Sequence, residues 1–277
     1  MNSDRFSPKN NDMQLCIQST PFVLTKRLIV LPGSELQAWV CHFDTQQFKD
    51  DEFSYILNNS SLSARAVTKR KAEHVAGRLC IHWCYQMLTN QTLPIIHADK
   101  HGCPVWPFPF KGSISHSQTM AVGVLTQNSN VLSLGVDIET ILNDKTTAEI
   151  VNMVLSSTEQ SVHTSLYNEE YNEEMPFNRF VTLVFSAKEA IYKALYPLVK
   201  HFFDFSAATL VSISKTKIQF VLQNNALPEI VDMAPIDVTY RIENNQVLTA
   251  CIIEQSFRPY IKLTCNPPIS NFEVIQR

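Results

Sequence analysis

Two short stretches hold most of the chemistry this chain can offer. In Gly135-Val136-Asp137-Ile138-Glu139 two carboxylates alternate with apolar residues. A period of two is a strand pattern and puts Asp137 and Glu139 on one face, following the apolar run Val131-Leu132-Ser133-Leu134. Two like charges on one face repel. A hard cation with oxygen ligands removes that repulsion, and Mg2+ needs few protein ligands because it keeps waters and takes the rest from phosphates.

The second stretch, Phe185-Ser186-Ala187-Lys188-Glu189-Ala190-Ile191-Tyr192-Lys193, reads as a helix. Val184, Ala187, Ile191, Leu195 and Leu198 recur at spacings of three and four and make one apolar stripe. Glu189 falls opposite that stripe with Lys193 one turn further on, so the two face away from the core together. They form either an exposed salt bridge or part of a site, and their spacing alone allows both.

Arg70, His74 and Arg78 fall at i, i+4 and i+8 of a helix expected over residues 63–88. Its buried stripe is Ala72, Val75, Ala76, Leu79, Trp83 and Met87. The basic row is a solvated face or an anion-binding one. Gly77 lies beside it and weakens a helix by roughly 1 kcal/mol relative to Ala, while letting another group approach the backbone. Ser115 and His116 are neighbours on an extended segment, so they point to opposite faces and make no hydrolase pair with Asp137. The G-x-S-x-G elbow is missing too. His116 is read instead as a phosphate donor, with a satisfied core histidine as the alternative. His97, His101 and Cys103 lack a fourth ligand for zinc, and Trp106, between two prolines, reads as packing.

Around these residues the pattern places strands at 22–31 and 37–43, joined at Pro32-Gly33, and an irregular segment at 50–59. A proline-rich and aromatic loop follows at 94–111, and residues 114–117 lead into a strand at 121–125. Helical residues 147–155 come after the carboxylate strand, and Glu159 begins another turn. Glu169, Glu170, Glu173 and Glu174 read as a solvated loop. The helix expected over 179–198 ends near Pro197. Strands follow at 210–213, 217–222, 236–242 and 247–253, the last two joined at Asn244-Asn245.

Composition narrows the class. The 277 residues are 45% apolar and 18% charged with a net charge of −3, which suits a globular protein and gives no basic field for nucleic acid. Seven cysteines without C-x-x-C spacing, a polar N-terminus and the lack of a long apolar run point to a reducing cytoplasm and no transmembrane segment. The presence of only six glycines argues against the glycine-rich ways of holding phosphate, so a phosphate bound here must be held by side chains and a metal.

The paired signature Gly-Val-Asp-Ile-Glu and Phe-Ser-Ala-Lys-Glu-Ala-Ile-Tyr-Lys resembles that of the 4'-phosphopantetheinyl transferases. Arg70-Lys71-Ala72-Glu73-His74-Val75-Ala76-Gly77-Arg78, Pro104-Val105-Trp106-Pro107 and Gly112-Ser113-Ile114-Ser115-His116-Ser117 are similar to the branch that includes the enterobactin synthase component D proteins. The resemblance covers residues 63–196. It implies an α+β fold of two pseudo-symmetric α/β halves, each with a small, mainly antiparallel sheet and a long helix, and an active site at their junction. The expected organisation is a tail at 1–20, an N-terminal half at 21–130, a C-terminal half at 131–264 and a tail at 265–277.

The implied reaction moves 4'-phosphopantetheine from coenzyme A to a serine of an apo acyl- or peptidyl-carrier protein, releasing adenosine 3',5'-bisphosphate, in siderophore or other nonribosomal peptide or polyketide synthesis. Asp137, Glu139 and Glu189 would hold Mg2+, Glu189 would also act as base, and Lys193 would offset phosphate charge. Arg70, Arg78 and His116 would hold the nucleotide phosphates, with the Ser115–His116 pair near the 3'-phosphate. Cys103 stands where many relatives carry a basic residue. A monomer is expected. The rival readings are a metal-dependent nucleotide or coenzyme A hydrolase and a non-catalytic carrier-binding protein.

Overall fold

The computed structural model describes residues 20–262 except 61, 64 and 166–174. The acidic run at 169–174 and most of both expected tails therefore lie outside the described residues. In chain order the elements are β1 (Val23–Val30), β2 (Gln37–Phe43), α1 (Ser54–Asn58), α2 (Thr68–Thr89), β3 (Lys111–His116), β4 (Met120–Thr126), β5 (Val131–Thr140), α3 (Asp144–Val154), α4 (Ser157–Ser165), α5 (Phe177–Val199), β6 (Ala208–Ile213), β7 (Lys217–Leu222), β8 (Ala234–Glu243) and β9 (Gln246–Glu254). Two antiparallel sheets result, ordered β1-β2-β4-β3 and β5-β9-β8-β7-β6. The fold is α+β, one long helix to each sheet.

The helix α2 buries Ala72, Val75, Ala76, Leu79 and Trp83 against Phe22, Cys41, Phe43 and Ala121 of the first sheet and its neighbouring loops. Met87, expected in that stripe, is instead exposed, because the helix's last turn runs past the sheet. Apolar residues of α5 pack on the second sheet in the largest cluster. A third cluster joins the sheets: Val40, Val122 and Val124 meet Val136, Ile138 and Ala250. Alternation along β5 thus sends Val136 and Ile138 toward the first sheet and turns Gly135, Asp137 and Glu139 to the other face.

The helix α5 runs through Pro197 rather than ending there. Proline removes one N–H, and so only the bond back to residue 193. The turn closes at Lys200, in the left-handed region (φ 59°), whose N–H donates to the Tyr196 carbonyl. Residues 114–116 belong to β3, a separate strand paired with β4, rather than the lead-in to one strand.

Candidate active site

β3 and β5 are edge strands of different sheets, and they lie beside each other. The Ser113 hydroxyl accepts the Val136 N–H (3.0 Å), and the Ser115 hydroxyl donates to Asp137 Oδ1 (2.7 Å). Period-two alternation puts both serines on one face of β3, so the seam between the halves is stitched at the carboxylate strand.

The helix α5 reaches the same place through small residues. A Cβ added at Gly135 would collide with the Ala190 carbonyl oxygen and come within 2.6 Å of the Ala194 nitrogen. Helix backbone therefore lies directly on strand backbone, and Glu189 and Lys193, each one residue before those alanines, overhang the carboxylates.

Lys193 Nζ donates to Asp137 Oδ1 (2.6 Å) and to the Ser115 hydroxyl (3.0 Å). This corrects the expectation that Lys193 and Glu189 face away from the core together. A helical wheel fixes which residues share a face of α5, whereas the close approach at Gly135 sets what that face meets. Asp137 is 2% exposed, and its second oxygen, Oδ2, has no hydrogen-bond partner among the described residues. Burial first, and the Asp137 charge second, push the Glu139 carboxyl up to about 8. Burial also raises the Glu189 carboxyl; Lys193 opposes the shift and Asp137 adds to it. Among the described residues no three of His, Cys, Asp and Glu are gathered closely enough to hold a metal as they stand.

On the other side of the seam, Arg70 Nη1 meets His116 Nε2 (3.0 Å). The guanidinium can only donate, so this nitrogen of His116 accepts and the proton sits on Nδ1. Burial, then the charges of Arg70 and Lys193, bring His116 down to about 4, so the ring is neutral at pH 7. Glu73, which the sequence reading passed over, lies 3.8–3.9 Å from Lys69, Arg70 and His116 Nδ1. Its signal was present as a carboxylate three residues after Arg70, on the same helical face.

Arg78 is not drawn into this group. It lines a small cleft of about 40 Å³ with His74, Tyr55 and residues 93–96. Its side chain makes no hydrogen bond or ion pair among the described residues. Burial, more than the neighbouring arginines, lowers His74 to about 3, so the expected basic row carries two charges rather than three. Gly77 does not open toward that row. A Cβ there would stand 2.6 Å from Ile114 Cγ2, so the glycine admits β3.

A second overlooked pair underlies the site. Lys188 and Glu159, both buried, meet at 2.8 Å, and Lys188 also donates to the Val154 carbonyl. Glu159 accepts the N–H groups of Ser156 and Leu210. Ser156 and Glu159 form a capping box, a pattern readable in sequence. The pair ties α3, α4, α5 and β6 together directly behind Glu189.

Two clefts flank the overhanging helix. One of about 220 Å³ lies between residues 101–106 and Tyr192, Lys193 and Tyr196. The other, about 470 Å³ and mostly apolar, runs from Glu189 and Tyr192 past Met153 to Phe202–Phe205.

Residues 58–126 match the 4'-phosphopantetheinyl transferase N-terminal domain, and residues 133–251 match the 4'-phosphopantetheinyl transferase superfamily. The chain is 32% identical to enterobactin synthase component D of Salmonella typhimurium over 193 residues, which is 69% of this chain and 76% of that protein. The chain belongs to the 4'-phosphopantetheinyl transferase superfamily. This transferase is also 31% identical to enterobactin synthase component D of Escherichia coli strain K12, over 55% of its own length and 67% of the relative. With 4'-phosphopantetheinyl transferase PptT of Mycobacterium tuberculosis it shares 30% identity over 53% and 60%. Among the described residues, no helix of the transferase is long and apolar enough to cross a membrane.

Proposed function

We propose that this chain moves the 4'-phosphopantetheine group of coenzyme A onto a serine of an apo acyl- or peptidyl-carrier domain, releasing adenosine 3',5'-bisphosphate. We place it as a cytoplasmic monomer serving siderophore or other nonribosomal peptide or polyketide synthesis. The likeness to enterobactin synthase component D supports that setting, and the described free cysteines suit a reducing compartment. The observation that carries the reading is the seam itself: Lys193 grips Asp137, the charges of Asp137, Glu139 and Glu189 act on one another, and a buried Asp137 oxygen has no hydrogen-bond partner among the described residues.

That donor set fits Mg2+, which takes one or two carboxylates and completes its shell with phosphate and water oxygens. Held by Asp137, Glu139 and Glu189, Mg2+ would neutralise the pyrophosphate and stabilise charge as the phosphoryl group transfers. The chain's own residues supply the rest. Lys193 carries positive charge to the bridging and leaving oxygens. Glu189, whose carboxyl is raised by burial, takes the proton of the attacking serine hydroxyl.

The first turn of α2 holds Lys69, Arg70 and Lys71 and no acid. Positive charge is unfavourable at a helix N-terminus, and a polyanion resolves the conflict. The nucleotide lies in the cleft between Lys193 and residues 101–106, with its phosphates toward Arg70, Arg78 and the Ser115–His116 strand. The uncharged pantetheine arm takes the apolar cleft that begins at Glu189. Incubating an apo carrier domain with coenzyme A and Mg2+, followed by intact-mass measurement, should show the gain of one phosphopantetheine. Release of the bisphosphate with an unchanged carrier would replace the transferase reading with a hydrolase.

A further inference from the structure

The wall of the cleft opposite Lys193 is a short hairpin at 97–105. The Val105 N–H donates to the His97 carbonyl (2.9 Å), and Ala98 pairs with Pro104. Its turn closes through Asp99 N–H to the Cys103 carbonyl (2.8 Å) and Gly102 N–H to the Asp99 carbonyl (2.9 Å), with Gly102 at φ +84°. The Asp99 side chain uses its two oxygens for different tasks. Oδ1 accepts the N–H groups of His101 (2.9 Å) and Cys103 (3.0 Å) and shapes the turn. Oδ2 accepts the Tyr196 hydroxyl (3.1 Å) and faces Lys200 Nζ at 3.7 Å.

Tyr196 and Lys200 belong to the last turn of α5 and its left-handed cap. One carboxylate therefore ties a loop of the N-terminal half to the helix that carries Glu189 and Lys193. These two contacts are the polar ties between hairpin and helix among the described residues. Burial, and then the bond to Asp99, push the Tyr196 phenol up to about 12, which keeps it a donor at neutral pH. The packing agrees, since the His101 ring stands edge-on to Tyr196 at 6.0 Å.

We infer that Asp99, acting through Tyr196, is a positioning residue that holds the 97–105 hairpin against α5 and so fixes the width of the cleft for the nucleotide end of the substrate. The inference rests on the reading that this cleft takes the nucleotide of coenzyme A. Asp99 is a negative charge near a bound polyanion. If it acted by charge alone, removing it would tighten binding; as a clasp, removing it weakens binding. The sign separates the two accounts.

Calorimetric titration with coenzyme A needs no acceptor protein, so it tests the clasp apart from the transfer reaction. Tyr196→Phe keeps the ring and deletes the bond, and Asp99→Ala removes both ties. Each should weaken coenzyme A binding about 10–100-fold, the range for losing one hydrogen bond to a charged group. Adding Tyr196→Phe to Asp99→Ala should cost nothing more. In carrier loading, Asp99→Ala should raise KM for coenzyme A by a similar factor while kcat at saturation stays within about twofold. Wild-type binding by both variants, or tighter binding by Asp99→Ala, would overturn the clasp and leave the transferase reading intact. Binding without transfer in the unaltered protein would overturn the transferase reading and leave the clasp standing. Loss of coenzyme A binding in the unaltered protein would overturn both.

Discussion

Each half lays a long helix across an antiparallel sheet, α2 over β2 and β4 and α5 over β5 and β9, yet the two helices meet the seam with opposite charge. The first half brings Lys69 and Arg70 with one carboxylate, Glu73, beside them, and leaves Arg78 in a separate cleft. The second brings Asp137, Glu139 and Glu189 with one ammonium, Lys193. The lone counter-charges are held differently: Lys193 grips Asp137 at 2.6 Å, while Glu73 stays 3.8–3.9 Å from each of its partners. The acidic side is pre-organised by a short internal contact. The cationic side is only loosely compensated, as suits a surface that must accept an anion from solution.

The comparison breaks most sharply at Glu189. As a metal ligand only, its amide variant should regain rate at high Mg2+. As the base it cannot, and Glu189→Gln should lose about 10²–10⁴-fold in single-turnover carrier loading across a full Mg2+ titration. Recovery near the wild-type rate would leave Glu189 as a ligand alone. Asp137→Asn should follow with a loss of about 10²–10³-fold. Its metal-free melting temperature should stay close to wild type, because the change relieves repulsion with Glu139 as it weakens the hold on Lys193. Mg2+ should raise the melting temperature of the wild type and not of this variant.

On the cationic side effects should be smaller and ligand-dependent. Arg70→Ala should weaken coenzyme A binding by on the order of 10–100-fold and 3'-dephospho-coenzyme A by much less, because a charge-assisted hydrogen bond contributes about 1.5–3 kcal/mol. Arg78→Ala should behave alike, and His116→Ala should cost less than either, since its Nε2 is engaged by Arg70. Equal losses for both ligands would remove a residue from the 3'-phosphate contact.

What the sequence disclosed follows from this contrast. Period-two and helical spacing made Asp137, Glu139, Glu189 and Lys193 visible as local patterns, and the strands of both sheets with them. The pairing of Lys193 with Asp137 was not visible, because it depends on Gly135, Ala190 and Ala194 letting two backbones touch. The expected helix stop at Pro197 failed because one missing N–H in a final turn is tolerated. Glu73 and Glu159 read as ordinary helical acids until burial and partners were seen, although the capping box around Glu159 was available.

The smallest prediction concerns acid stability. His74, His82 and His116 are held neutral, at about 3, 4 and 4, chiefly by burial. Their folded values lie below 6.5, so as pH falls the unfolded chain binds protons first. Stability is full above about pH 6.5 and declines toward pH 4. His82 is buried and far from the seam, and its share is on the order of 2–3 kcal/mol. Urea midpoints measured from pH 7 to 4.5 should slope less in His82→Gln than in wild type. An unchanged slope would assign the acid lability elsewhere.

The contact of α5 on β5 sets two rulers side by side. Four residues of helix, Glu189 to Lys193, advance about 6 Å at 1.5 Å per residue. Two residues of strand, Asp137 to Glu139, advance about 6.8 Å. The two steps are commensurate, so one helical turn of functional groups registers with one strand repeat. Substitutions leave that register alone, whereas a single inserted residue between Glu189 and Lys193 would swing the ammonium about 100° around the helix. The site should therefore tolerate changes of residue far better than changes of chain length.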